Sequence, residues 1–163
     1  MTKAVVALGL VAPALTLAGA SGCARQAGGS IASPACDDPQ FLTDRAAFAS
    51  GTATADQAVD VCGTVINVLS ARYTRSGRHG YFVVRVNGVP IEVISNLDAM
   101  RGAPQTWPWV SPGDYVYVRG RYFYDSANRQ GIDWTEGDAG RSWSRPGYVV
   151  VCDARGKACS SFD

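Results

Sequence analysis

The pattern of apolar and polar positions divides the chain into three stretches. Residues 4–20 are almost continuously apolar, interrupted by Gly9, Pro13 and Gly19. Residues 24–35 are rich in Ala, Gly and Ser without an apolar period, as a flexible tether is. From residue 37 the pattern becomes structured. Asp38-Pro39 suits a helix start, and Phe41, Leu42, Ala46, Ala47 and Phe48 form one stripe, which predicts a short helix over 39–49.

Strand signals follow. Residues 59–69 are β-branched and roughly alternating, with Gly63 as an expected bulge or bend. Residues 80–86 form a second strand. Asn87-Gly88 tolerates the positive φ values of a type I′ turn, so 89–95 returns as the third. A helical turn is expected at 97–101, then a connection holding Pro104, Pro108 and Pro112. Pro112-Gly113 reads as a type II turn opening a long fourth strand over 114–124. Gly131 starts a fifth over 131–135, and Tyr148 to Cys152 form a last short one. The expected fold is mainly β: a five-stranded OB-like barrel preceded by a short N-terminal helix, with an extra C-terminal strand or hairpin. An immunoglobulin-type sandwich is the runner-up, but it usually needs about seven strands.

The N-terminal apolar run follows Lys3 and is short for a bilayer span, so it reads as an export signal. Two cleavage sites compete. Ala18-Gly19-Ala20 fits ordinary signal peptidase and leaves Ser21 first. Ala20-Ser21-Gly22-Cys23 resembles a lipobox, in which the cysteine receives lipid, although Ala20 stands where Leu is more usual. Cysteine parity favours the lipobox. Five cysteines are present, and lipidation of Cys23 leaves Cys36, Cys62, Cys152 and Cys159 for two disulfides. The expected organisation is a lipoprotein signal peptide over 1–22, a lipid-anchored tether over 23–38 and the barrel domain over 39–163. In a Gram-negative cell, Ala24 lacks the Asp of inner-membrane retention, which points to an outer-membrane lipoprotein facing the periplasm. A soluble periplasmic or secreted protein is the alternative.

Four cysteines permit three pairings. Cys152 and Cys159 flank a six-residue loop containing Gly156, so a hairpin brings them opposite each other and leaves Cys36 to Cys62. No Cys-x-x-Cys occurs, which favours a structural role over a redox one. Charge changes the picture less. Without Lys3 the basic and acidic residues balance, so the mature chain lacks the excess of a basic nucleic-acid binder.

In order along residues 41–159 stand Phe48, Gly63-Thr64-Val65, Ser76-Gly77-Arg78-His79, Phe82, Ile94-Ser95-Asn96-Leu97-Asp98, Gly113-Asp114, Gly120-Arg121-Tyr122 and Ile132-Asp133-Trp134-Thr135. In that order and spacing the chain resembles a family of small exported bacterial domains of unknown function, itself similar to OB-fold proteins. The resemblance implies the barrel. It implies histidines where Ser95, Asp133 and Glu136 stand, and only His79 persists, so no catalytic site is inherited.

Candidate chemistry is sparse. His79 beside Arg78 reads either as an anion contact or as a hydrogen-bonded residue at the barrel rim. One histidine supplies too few ligands for a metal, and no cofactor is expected. Asp133, Glu136 and Asp138 form an acidic cluster that paired-carboxylate hydrolysis or a hard cation can use, but a solvated turn is the favoured reading. In the fourth strand Tyr115, Tyr117, Arg119 and Arg121 share one face, while Val116, Val118, Gly120 and Tyr122 share the other. With Trp107 and Trp109 ahead of that strand, these aromatic and Arg residues suit stacking on a ligand, or packing at the barrel end. The function expected is a non-catalytic binding or interaction module at the envelope. Its partners are the membrane, through the lipid, and an envelope polymer or protein; nucleic acid is disfavoured. The alternatives are an exported hydrolase or nuclease-like enzyme, and a purely structural lipoprotein.

Overall fold

The structure is a computed structural model, and the residues it describes are 34–104, 106–137, 143, 145–155 and 158–163. The expected signal peptide, Cys23, Asp138 and Gly156 lie outside them.

Helix α1 (Asp38–Ala49) starts one residue earlier than the pattern implied, because Asp37 is the cap. Its carboxylate accepts the Gln40 backbone N–H at 3.2 Å, leaving Asp38 to accept the Cys62 N–H at 2.9 Å. The helix buries Phe41 and Phe48, which meet the Tyr122 ring edge-on at 5.1 and 5.6 Å.

Seven strands form one sheet: β1 (Gln57–Thr74), β2 (Gly77–Val86), β3 (Val89–Asn96), β4 (Tyr115–Ser126), β5 (Arg129–Asp133), β6 (Tyr148–Cys152) and β7 (Cys159–Phe162). Strand β1 is longer than its alternating core because it serves two neighbours. Its first half pairs with β4 from Gln57 to Thr64, and its second with β2 from Thr64 to Thr74. The other pairings are β2–β3, β3–β5 (parallel) and β5–β4, so five strands pair in a closed ring. Strands β6 and β7 add a hairpin outside it, beside β4.

Gly63 sits where β1 passes from one neighbour to the other. A Cβ there would stand 2.7 Å from a Val84 methyl and against the Arg85 carbonyl, so the position serves close approach. The bulges expected at Gly63 lie further along, between Val65 and Asn67 and between Leu69 and Arg72. The turn readings match the geometry. Asn87 and Gly88 have φ of 45° and 86°; Gly113 has φ of 97°, and Asp114 N–H reaches the Ser111 carbonyl at 3.1 Å.

The core lies inside the ring. Strand β4 buries Val116, Val118 and Tyr122, facing Val59, Val61 and Val65 of β1, Phe82, Val84 and Val86 of β2, Ile91 and Val93 of β3, and Ile132 of β5. Period-two burial holds in β3 and most of β4, as one-sided strands require. The fifth strand is displaced from 131–135: it starts at Arg129 and stops at Asp133, because Trp134 adopts φ of 53°, which strand pairing cannot continue.

The disulfides Cys36–Cys62 and Cys152–Cys159 form as expected. The first ties the chain ahead of α1 to β1. The second closes the β6–β7 hairpin, where its two residues are direct partners. Among the described residues no helix is long and apolar enough to cross a membrane.

Candidate functional site

The sequence candidates fall on three separate parts of the fold. The first is a groove of about 600 Å³ beside the far end of β1, lined by Leu69, Ser70, Ala71, Tyr73, Arg78 and Trp107 among others. Its shape begins with the second bulge. Leu69 pairs with Tyr81 and Arg72 with His79, so Ser70 and Ala71 together face only Gly80, and the strand bends there. Gly80 lets the Trp107 indole lie against β2, since a Cβ would stand 2.6 Å from the ring. The Trp107 indole N–H donates to the Leu69 carbonyl at 2.8 Å. Its polar edge is thereby engaged, and the ring forms one wall.

Tyr73 lies at the hairpin opposite Arg78 and is 83% exposed. The Arg78 backbone holds the hairpin down: its N–H donates to Asp98 Oδ2 at 2.8 Å, and its carbonyl accepts the Leu97 N–H. His79 turns back into the hairpin. Its Nδ1 lies 3.1 Å from Thr74 Oγ1 and 2.9 Å from the Gly77 carbonyl, which makes it part of the turn.

The second part is the outer face of β4. Tyr115, Tyr117, Arg119 and Arg121 do share it, and the two tyrosine rings meet edge-on at 5.4 Å. Both arginines are engaged. Arg119 pairs with Asp60 at 2.7 Å and lies over the Tyr148 ring. Arg121 makes two hydrogen bonds to Asp133, at 2.8 and 2.6 Å, and one to Asp56 at 2.9 Å, while lying over Trp134. Burial raises the Asp133 carboxyl against the opposing pull of Arg121. Burial, with Asp60 alongside, pushes the Tyr148 phenol up to about 12. This face is an interlocked ladder of charges and rings.

The third part is a buried polar knot where β3 meets the segment after β5. Ser95 Oγ and Thr135 Oγ1 are 2.8 Å apart, both fully buried, and Thr135 also donates to the Ile94 carbonyl at 3.3 Å. Next to Thr135, Glu136 is 9% exposed and its Oε2 has no hydrogen-bond partner among the described residues. Burial raises its carboxyl above the usual range, and the Asp133 charge adds to that; the backbone N–H groups of Glu136 and Asn96, with the His79 charge, partly offset both. Ser95 and Glu136 thus flank Thr135, while Asp133, two residues before it, turns its carboxylate to Arg121. Among the described residues no cluster of His, Cys, Asp and Glu fits a metal ion.

Trp109 belongs to the packing. It meets Phe82, Trp107 and Phe162 at centroid distances of 6.0, 5.1 and 4.7 Å. Of the residues singled out in the sequence, the groove gathers Arg78 and Trp107 alone. Tyr73 is not among the sequence candidates, although it carries a signal of its own, an aromatic residue between arginines at a hairpin turn, Arg72-Tyr73-Thr74-Arg75. Protein-family models, curated proteins and solved structures yield no match to this chain.

Proposed function

We propose that the protein is a non-catalytic binding module of a bacterial cell envelope, built on an OB-type barrel and anchored by lipid on Cys23. The closed ring of five strands with a helix ahead of β1 supports the OB reading. Two disulfides support an oxidising compartment, and lipidation accounts for the fifth cysteine.

The observation that carries binding is the groove between Tyr73 and Trp107. An exposed aromatic ring beside an anchored indole is costly to leave in water and suits a ligand that covers both. The groove also lies at the β1–β2 connection, one of the loops through which OB domains hold extended polymers. The hydrolase alternative has one observation in its favour, the buried Glu136 carboxyl. A two-carboxylate mechanism needs a second, and Asp133 is engaged by Arg121.

Retention of the intact protein on purified envelope fractions tests the reading, with Tyr73→Ser and Tyr115→Ser variants compared. Retention lost with Tyr73→Ser alone is the expected result. Equal retention of all three proteins would remove the groove as the site. No retention of the parent would leave the structural-lipoprotein alternative in its place.

A further inference from the structure

We propose that the outer edge of β1 binds an extended polypeptide by strand addition; this rests on the binding reading above and names its ligand. Strand β4 is the neighbour of β1 on that side only as far as Thr64, opposite Tyr115. One residue further, the Val65 N–H donates to the Asp114 carbonyl at 2.8 Å, and its carbonyl accepts the Gly113 N–H at 2.9 Å. The chain ahead of β4 leaves this line at the Pro112-Gly113 turn. Among the described residues no strand pairs with β1 on that side from Ile66 to Thr74. The opposite end of the sheet is covered, because Arg101 exchanges backbone hydrogen bonds with Asp163 beside β7.

The ladders fix which backbone groups face that edge. The Arg78 N–H donates to Asp98 and its carbonyl accepts the Leu97 N–H, both on the side away from β1. Tyr73, its antiparallel partner, therefore turns its own N–H and carbonyl away from β2. The two-residue turn at Asn87-Gly88 makes Val86 and Val89 a bonded pair, and alternation from there directs the Phe82 backbone at Val93. Val68, opposite Phe82, thus also points outward. The extra residue in the bulge between Leu69 and Arg72 keeps Val68 and Tyr73 on one edge, although their separation is odd.

Val68 and Tyr73 both line the groove that Trp107 walls. Tyr73 is opposite Arg78, two places from Gly80, so its ring shares the face on which the indole lies. An extended peptide in the line that β4 leaves meets all of these groups. Its backbone continues the ladder at Val68 and Tyr73, and every second side chain faces the two rings. Apolar residues at alternate positions suit that groove. A saccharide carries no N–H and carbonyl pair repeating at strand spacing. A second copy would bring the same bulged edge, which bends where a ladder between two copies has to run.

Titrating the intact protein with a heptapeptide of alternating Val and Thr tests this, read by tryptophan fluorescence, with sedimentation reporting the oligomeric state. The comparison ligands are the same peptide N-methylated throughout and a neutral galactan oligosaccharide. The heptapeptide is expected to bind, and N-methylation, which removes its donors and keeps its side chains, should weaken binding about tenfold or more. Tyr73→Pro should bind the heptapeptide less tightly than Tyr73→Ser, since both lose the ring and only proline loses the outward N–H. Should Tyr73→Pro unfold at a lower temperature than Tyr73→Ser, the N-methylated peptide decides alone. Equal binding of the N-methylated peptide would overturn strand addition. Tighter binding of the oligosaccharide would overturn the peptide assignment and leave the binding module standing. A dimer that the heptapeptide does not disperse would assign the edge to a second copy instead. No heptapeptide binding would end this inference, whereas envelope retention separately judges the reading beneath it.

Discussion

The Trp107 indole lies against Gly80 so closely that a Cβ at residue 80 would stand 2.6 Å from its ring. Its N–H is tied on the other side to the Leu69 carbonyl. The groove wall is thus held by one absent side chain and one hydrogen bond. Gly80→Ala should push the indole out and cost about 1–3 kcal/mol, the usual penalty of overpacking. A lower unfolding temperature together with a red-shifted tryptophan emission is expected; an unchanged spectrum would mean the ring is not seated there.

Ser95 and Thr135 share one buried hydrogen bond, and their removal is not equivalent. Thr135→Val strands the Ser95 hydroxyl and should cost about 1–3 kcal/mol, whereas Ser95→Ala leaves Thr135 its Ile94 carbonyl and should cost about 1 kcal/mol. The double variant should lose less than the sum, because no buried hydroxyl is then left alone. Denaturant unfolding of the three variants measures the coupling, and strict additivity would contradict it.

Glu136 has a carboxyl raised by burial, with one oxygen unpartnered among the described residues. A raised acid holds its proton longer in the folded state than in the unfolded chain. Its contribution is therefore fully present below the ordinary value of 4.5 and is lost as pH rises through the folded value. Glu136→Gln should be more stable than the parent at neutral pH, by on the order of 1 kcal/mol. The gap should close in acid, where the parent carboxyl is neutral too. Melting temperatures against pH check the sign, and a gap that widened in acid would refute it.

The two disulfides close chain segments of different length, with sequence separations of 26 and 7. Restricting the unfolded chain is worth about 3.5 kcal/mol for the longer loop and about 2.4 kcal/mol for the shorter. Replacing Cys36 and Cys62 by Ser should therefore destabilise more than replacing Cys152 and Cys159. Guanidinium unfolding of the two paired variants gives the order. The longer bridge also seats α1 against Tyr122, so its loss should shift the Tyr122 phenol down from about 12 as burial relaxes.

Much of the architecture follows from local rules that a sequence displays. Alternation along residues 115–122 separates inner valines from outer tyrosines and arginines, since a strand turns successive side chains to opposite faces. Asn87-Gly88 and Pro112-Gly113 declare their turns because few other pairs accept those dihedrals. Cysteine spacing and the hairpin loop between Cys152 and Cys159 led to the observed pairing. Each is a statement about neighbours along the chain.

Tertiary structure decided which of the polar and aromatic residues are occupied. Arg119 and Arg121 look available on a strand, yet Asp60 sits on β1 and Asp133 on β5, and only closure of the ring brings those carboxylates to them. The same closure places Trp107 over a glycine of β2 and leaves Tyr73 facing water beside it. Pattern reading sees residue type and period. Whether a charge is free or spent depends on partners that arrive from distant parts of the chain, which is why the groove at Tyr73 emerged only once the strands were paired.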